Sequence, residues 1–274
     1  MTRGTRSLVF ASLATALLLI APTSVLAQGV EATGPAPDSQ VATEDLRQPA
    51  FAQLFEDTLK DFRRLPSRDT LTWLGIGAAA AALTHMADQP VTERLSNSKF
   101  FEETFEAGQF LGGASFQHGS ALATYIIGRA MHKPRVASVG AYLLQAQLIA
   151  QGLTEAVKKG VGRRRPDGTG YSFPSGHASV TFATATVLQR DLGWKVGIPA
   201  YGLAAYVAAS RVQVKRHFLS DVAFGAVIGI ISGRVVTVGR GDRRFAVSPM
   251  ALPGGGGVSF AWVGSQQAGA SPLH

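Results

Sequence analysis

Apolar and polar positions divide the chain into a leader, a polar stretch, a helical body and a short alternating tail. Leu8 to Ile20 is an apolar run, preceded by Arg3 and Arg6 and closed by the small-residue site Val25–Leu26–Ala27. That order predicts a secretory signal over residues 1–27, cleaved after Ala27, with a retained anchor as the alternative. Residues 28–50 are rich in Pro, Ala, Glu, Asp and Gln without periodicity, so they are expected to form a disordered connector. Phe51, Leu54, Phe55, Leu59, Phe62 and Leu65 then mark one face of a helix ending before Pro66, with Lys60, Arg63 and Arg64 opposite. This amphipathic helix is expected to pack on the core, with a membrane surface as the other destination.

Six apolar segments follow, at 71–87, 109–131, 136–157, 177–190, 194–210 and 219–238. Ala, Leu, Gly, Val and Ile dominate them, and their lengths suit helices rather than strands. A shorter piece, 97–108, sets Phe100, Phe101 and Phe105 against Glu102, Glu103 and Glu106, which predicts packing or a lip for acyl chains. Past Arg243–Arg244, Phe245 and Val247 alternate with small residues, and so do Val258, Phe260 and Trp262 across Pro253–Gly254–Gly255–Gly256–Gly257. That pattern predicts a small β-hairpin within 241–274. The fold class expected is all-α: an antiparallel bundle of about six core helices, with an amphipathic N-terminal helix, together over 51–240, and a small β-hairpin and tail after it.

Composition narrows the partners. Hydrophobic residues make up 46% of the chain and charged residues 16%, below the ~25% of ordinary soluble domains. The net charge is +8. A basic chain with few charges points to phosphate or anionic lipid. No basic patch interleaved with aromatics supports nucleic acid. The absence of cysteine removes disulfides and zinc–thiolate sites. Membrane spans need ~20 largely apolar residues. Here the second segment carries Gln117, His118 and Arg129, and the third Gln145, Gln147, Gln151 and Glu155. Such segments are weak spans unless those residues face the bundle interior. A cleaved leader would also put the Arg129–Lys133–Arg135 loop outside, against the positive-inside trend. The sequence therefore favours an exported, periplasmic or membrane-peripheral helical protein over a spanning one.

The chemistry lies in three polar islands: Lys158 to Pro166, Pro174–Ser175–Gly176–His177, and Ser210–Arg211 followed by His217 and Asp221. Lys158, Arg165 and Arg211 can surround a phosphoryl group and stabilise charge on its oxygens. Ser175, Gly176 and His177 open a predicted helix, whose unpaired N–H groups cradle an anion. His217 and Asp221, four apart, share a helix face, so the carboxylate can hold one imidazole nitrogen as N–H and leave the other as a nucleophile. His177 then remains as general acid. Lys159, Arg163, Arg164, Lys215 and Arg216 read as bystanders or headgroup contacts. Each island alone has a bland reading, a solvated basic face or a core histidine; their joint order does not.

In that order, Lys158-x6-Arg165–Pro166, Pro174–Ser175–Gly176–His177 and Ser210–Arg211-x5-His217-x3-Asp221 resemble the signature of the type 2 phosphatidic acid phosphatase superfamily, which also holds acid phosphatases and vanadium haloperoxidases. The resemblance covers roughly residues 70 to 240. It implies a metal-independent phosphatase with His217 as nucleophile, Asp221 as its partner, His177 as acid, and Lys158, Arg165, Ser175, Gly176 and Arg211 as phosphate ligands. It implies no cofactor, with vanadate as inhibitor. One departure is the short gap of seven residues between Pro166 and Pro174. The substrate expected is a phosphorylated lipid, such as phosphatidic acid, phosphatidylglycerol phosphate, undecaprenyl pyrophosphate or a lipid A phosphate, or else a small phosphate ester. The rival readings are a vanadium-dependent haloperoxidase, with vanadate as cofactor, and a non-catalytic protein that binds anionic lipid.

Overall fold

The computed structural model describes residues 51–237, with backbone alone for 51–53, and the backbone of two paired segments, 244–252 and 255–263. The expected signal, connector and final tail lie outside the described residues. The helices are α1 (Phe51–Arg64), α2 (Arg68–His85), α3 (Asp88–Ser96), α4 (Lys99–Phe105), α5 (Gly108–Leu111), α6 (Ala114–Ala130), α7 (Pro134–Val161), α8 (Gly176–Leu192), α9 (Trp194–Gln213) and α10 (Leu219–Val236). Strands β1 (Arg244–Leu252) and β2 (Gly255–Val263) pair antiparallel, from Arg244 opposite Val263 to Leu252 opposite Gly255.

Local chemistry sets the breaks between helices. Ser67 caps α2 by accepting the Thr70 N–H at 3.1 Å. Pro134 opens α7, where a missing N–H costs nothing. Gly162, at φ 63°, ends it in the left-handed conformation. The segment expected at 71–87 is α2, but the chain then bends by 69° into α3. The segment expected at 109–131 is broken between α5 and α6, where Gly113 takes an extended backbone.

Helix α8 lies at the centre, against α7, α9 and α10; α6 packs on α7 and α2 on α10. Ala146, Ile149 and Ala150 of α7, Ala183 and Val187 of α8, and Ile228 of α10 form the largest core cluster. Helix α10 meets α8 along a ridge of glycines one turn apart. A Cβ at Gly225 would lie 2.6 Å from the Ser175 carbonyl oxygen, and one at Gly229 2.3 Å from that of Ser179. Small residues there let two backbones touch, which fixes the ends of both helices relative to each other. Gly229→Ala is expected to cost about 1–3 kcal/mol by overpacking. Thermal unfolding would read this, and a melting temperature equal to wild type would contradict the close approach.

Helix α1 corrects one expectation. Its buried positions are Leu54, Thr58 and Asp61, while Phe55 is 71% and Leu59 48% exposed. Polar bonding turns it this way: Gln145 of α7 donates to the Leu54 carbonyl at 3.4 Å, and Thr58 donates to the same oxygen at 2.7 Å. Most of the aromatic face read from the sequence therefore points away from the core, although Phe62 still lies beside Gly152 of α7. In α4, Phe101 and Phe105 stack with ring centroids 5.9 Å apart, and Phe105 meets Tyr206 of α9 at 5.4 Å. Phe100 stands exposed.

Among the described residues, α7 and α10 are long and apolar enough to cross a membrane, and the bent pair α2–α3 passes the same test if counted as one. Three of the polar residues that argued against spans are turned inward, while Arg129 is exposed. Gln117, Gln145 and Gln147 are buried. Gln147 donates to Thr184 at 3.0 Å, and Thr184 donates to Gln117 at 2.9 Å. Large apolar side chains meanwhile stand exposed on α2 (Leu71, Leu74, Ile76, Leu83), on α6 (Leu122, Ile126, Ile127) and on α9 (Ile198).

Candidate active site

All three polar islands sit at helix ends or in the loops joining them. Lys158 is in the last turn of α7, Arg165 in the loop that follows, and Ser175 at the N-cap of α8, with Gly176 and His177 as its first residues. Arg211 is in the last turn of α9, His217 in the loop after it, and Asp221 in the first turn of α10. Antiparallel neighbours bring the C-termini of α7 and α9 and the N-termini of α8 and α10 to one end of the bundle.

Two imidazoles share one electrostatic environment there. Burial pushes His177 down from its ordinary value to about 4; Arg211, Lys158 and Arg165 add to this, and the Gln109 carbonyl opposes it. Burial likewise pushes His217 down to about 3, with the Ser172 carbonyl opposing and Lys158, Arg165 and Arg211 again lowering. Lys158, Arg165 and Arg211 thus lower the proton affinity of both rings at this end of the bundle.

Arg211 is the sharpest sign of what the pocket holds. It is 5% exposed, and among the described residues its buried Nε and Nη1 have no hydrogen-bond partner. A buried guanidinium with two open donors is costly unless an anion completes it. Among the described residues, Lys158 reaches Glu155 alone, at 3.5 Å, and Arg165 donates its Nε to the Tyr171 carbonyl at 3.1 Å, so both keep donors for a ligand. The α8 N-terminus adds backbone N–H groups. Ser175 is fully buried; its hydroxyl accepts the Ala178 N–H at 3.4 Å and its own N–H donates to the Asp221 carbonyl at 3.0 Å, which leaves the hydroxyl proton to donate. Gly112 of the α5–α6 turn closes the pocket beside His177, where an added Cβ would lie 3.0 Å from the imidazole Cδ2 and 2.3 Å from Val207. Gly112→Ala is expected to lower kcat about tenfold by displacing His177. Unchanged kcat would mean that the turn does not hold the ring.

The environment of His217 departs from the expected carboxylate contact. Its Nδ1 donates to the Ser172 backbone carbonyl at 2.7 Å, whereas Asp221 Oδ2 lies 3.9 Å away. A carbonyl can only accept, so Nδ1 carries the proton and Nε2 keeps its lone pair. Asp221 acts one step further out. It is fully buried and accepts from the Ser172 hydroxyl, from the Phe218 N–H at 2.7 Å and from Arg163 Nη1 at 2.9 Å.

Arg163, read from the sequence as a bystander, belongs to this arrangement. It donates through Nη2 to Asp88 at 2.8 Å and through Nη1 to Ser220 at 2.8 Å, and its guanidinium lies 4.2 Å from the Phe218 ring centroid. Asp88 also accepts from the Ser220 N–H and hydroxyl, at 2.8 and 2.7 Å. Asp88, Ser172 and Ser220 went unnoticed in the sequence because their partners are distant in the chain: Asp88 and Ser220 are 132 residues apart, Ser172 and Asp221 49, and Ser220 and Arg163 57, and no periodicity links them. Lys159, Arg164, Lys215 and Arg216 do remain exposed. Among the described residues, no group of three or more His, Cys, Asp or Glu side chains converges.

Comparison with known proteins points to one family. Residues 139–245, which carry all eight of the residues named from the sequence, match the PAP2 superfamily model. The chain is 29% identical over 199 residues to a lipid A 1-phosphatase of Porphyromonas gingivalis, covering 67% of this chain and 42% of that protein. It is 32% identical over 120 residues to a decaprenylphosphoryl-5-phosphoribose phosphatase of Mycobacterium tuberculosis, covering 40% and 63%. The chain thus spans less than two thirds of either relative. A crystal structure of a transmembrane PAP2 type phosphatidylglycerolphosphate phosphatase from Bacillus subtilis aligns with a TM-score of 0.47 and 23% identity, over 69% of this chain and 94% of that one.

Proposed function

We propose that this protein is a membrane-associated phosphatase that hydrolyses the phosphate ester or pyrophosphate of a lipid through a phosphohistidine. The observation that carries the reading is the buried Arg211 with open donors, set beside two imidazoles held neutral by burial and neighbouring cations. Lys158, Arg165 and Arg211, with the N–H groups of Gly176 and His177, hold the phosphoryl oxygens. His217 Nε2 attacks phosphorus in line; the P–N bond forms as the P–O bond to the leaving group breaks. His177 gives its proton to the departing oxygen. It then takes a proton from water, whose oxygen attacks phosphorus and breaks the P–N bond, releasing phosphate and restoring His217.

His177 must be protonated for the first step, yet burial and the three cations push it down to about 4. A bound phosphate dianion offsets the three cations that lower it, so binding is coupled to proton uptake. The six helices α2 and α6 to α10 form the catalytic bundle, and α1 and the hairpin are appended to it. The exposed apolar faces of α2, α6 and α9 meet lipid, and the protein is exported to the cell envelope. Both relatives' names denote phosphatases of lipid-borne phosphates, which favours a lipid substrate over a soluble ester.

Phosphate release from matched lipid and water-soluble esters, with EDTA present, tests the reading. Release that persists in EDTA, favours the lipid ester and is blocked by vanadate is the expected result. Binding without release across such a panel would overturn it.

A further inference from the structure

We infer that Asp88 and Arg163 are positioning residues that fix the tautomer and aim of His217, so that a helix outside the matched segment completes the active site. The inference rests on the phosphohistidine reading. The orientation of the imidazole depends on one atom, the Ser172 carbonyl oxygen that accepts from Nδ1. Ser172 is gripped at two points, and Arg163 has a part in both. The Ser172 N–H donates to the Arg163 carbonyl at 2.6 Å. The Ser172 hydroxyl donates to Asp221, whose other oxygen is held by the Arg163 guanidinium.

Arg163 in turn is fixed by Asp88. This carboxylate is 2% exposed and sits at the first position of α3, just past the 69° bend after α2. It receives Arg163 Nη2, and it binds both the N–H and the hydroxyl of Ser220, the residue preceding Asp221. Asp88 therefore caps α10 from another helix and locks the carboxylate beside it. Two carboxylates, Asp88 and Asp221, share one guanidinium, so Arg163 is committed to the scaffold and is not a phosphate ligand. Asp88 lies 51 residues before the matched segment begins at Val139. No neighbouring motif marks it.

The test compares wild type with Asp88→Ala and Arg163→Lys. The lysine keeps the backbone carbonyl for Ser172 and one positive charge, but it cannot bridge two carboxylates. In both variants kcat is expected to fall about 10–100-fold, while KM and inhibition by inorganic phosphate change less than about threefold, because the phosphate ligands are untouched. Nitrogen-15 chemical shifts of the His217 ring are expected to show wild type with the proton on Nδ1 and the variants with a mixture of tautomers. This second readout needs no turnover and separates two failures. A wild type that releases no phosphate refutes the phosphatase reading, and the tautomer comparison still decides the role of Asp88. Folded variants with wild-type kcat, or with the Nδ1 tautomer intact, overturn the inference. So does a loss of melting temperature that accompanies equal losses in kcat and phosphate binding, since that is what a purely structural role produces.

Discussion

His217→Ala is expected to lower kcat/KM by about 10⁴-fold or more, since nothing else in the pocket can take the place of the attacking nitrogen. Two features of the site make this the largest single effect. Burial pushes the ring down to about 3, so it is an uncharged nucleophile at neutral pH. The Ser172 carbonyl fixes the proton on Nδ1 and leaves Nε2 open. Removing the ring leaves Lys158, Arg165 and Arg211 in place, so inorganic phosphate and vanadate should still bind. Three measurements go together: turnover, phosphate-dependent thermal stabilisation, and acid-labile protein phosphate after rapid quenching. The variant should lose the first and third and keep the second. Residual turnover above about 1% of wild type would point to direct attack by water, with His217 relegated to electrostatics.

The sequence exposed the phosphate-handling residues because they are chemically unusual where they stand. Lys158, Arg165, His177, Arg211 and His217 interrupt apolar segments at points where a helix must begin or end. An antiparallel bundle gathers such points at one end. The longer helices were legible from length and composition; the short helix α3, the bend at Met86–Ala87 and the break at Gly112–Gly113 were not. What stayed hidden depends on which side of a helix faces which neighbour. The Phe55 and Leu59 face of α1 looked like a core stripe, yet Leu54, Thr58 and Asp61 are the residues that pack. Likewise Asp221 was recognised by its spacing from His217, but spacing alone could not show that a Ser172 carbonyl stands closer to the ring. Arg163 resembled its exposed neighbour Arg164, and only the fold separates one from the other. Its two carboxylate partners arrive from α3 and α10, far apart in the chain.

Arg211→Met provides the second large effect and separates catalysis from stability. Among the described residues, the buried guanidinium of Arg211 finds no partner for Nε or Nη1, and an unsatisfied buried charge is a cost that function imposes on the fold. Methionine keeps most of the volume and removes the charge. Catalytic efficiency is expected to fall about 10²–10³-fold, the usual consequence of deleting one donor to developing negative charge. The melting temperature without ligand should equal or exceed that of wild type, and the rise normally caused by phosphate should be lost. The pH profile should move as well, and its direction follows from the causes of the shifts. Arg211 lowers the proton affinity of both His177 and His217. Without it, His217 becomes neutral only at higher pH, which moves the acid limb up. His177 also keeps its proton to higher pH, which moves the alkaline limb up. The whole bell of kcat/KM should therefore shift to higher pH by only part of the total depression, because burial is the larger cause and remains. A variant that loses activity and stability together with an unmoved profile would make Arg211 a packing residue and would remove the strongest argument for an anion in this pocket.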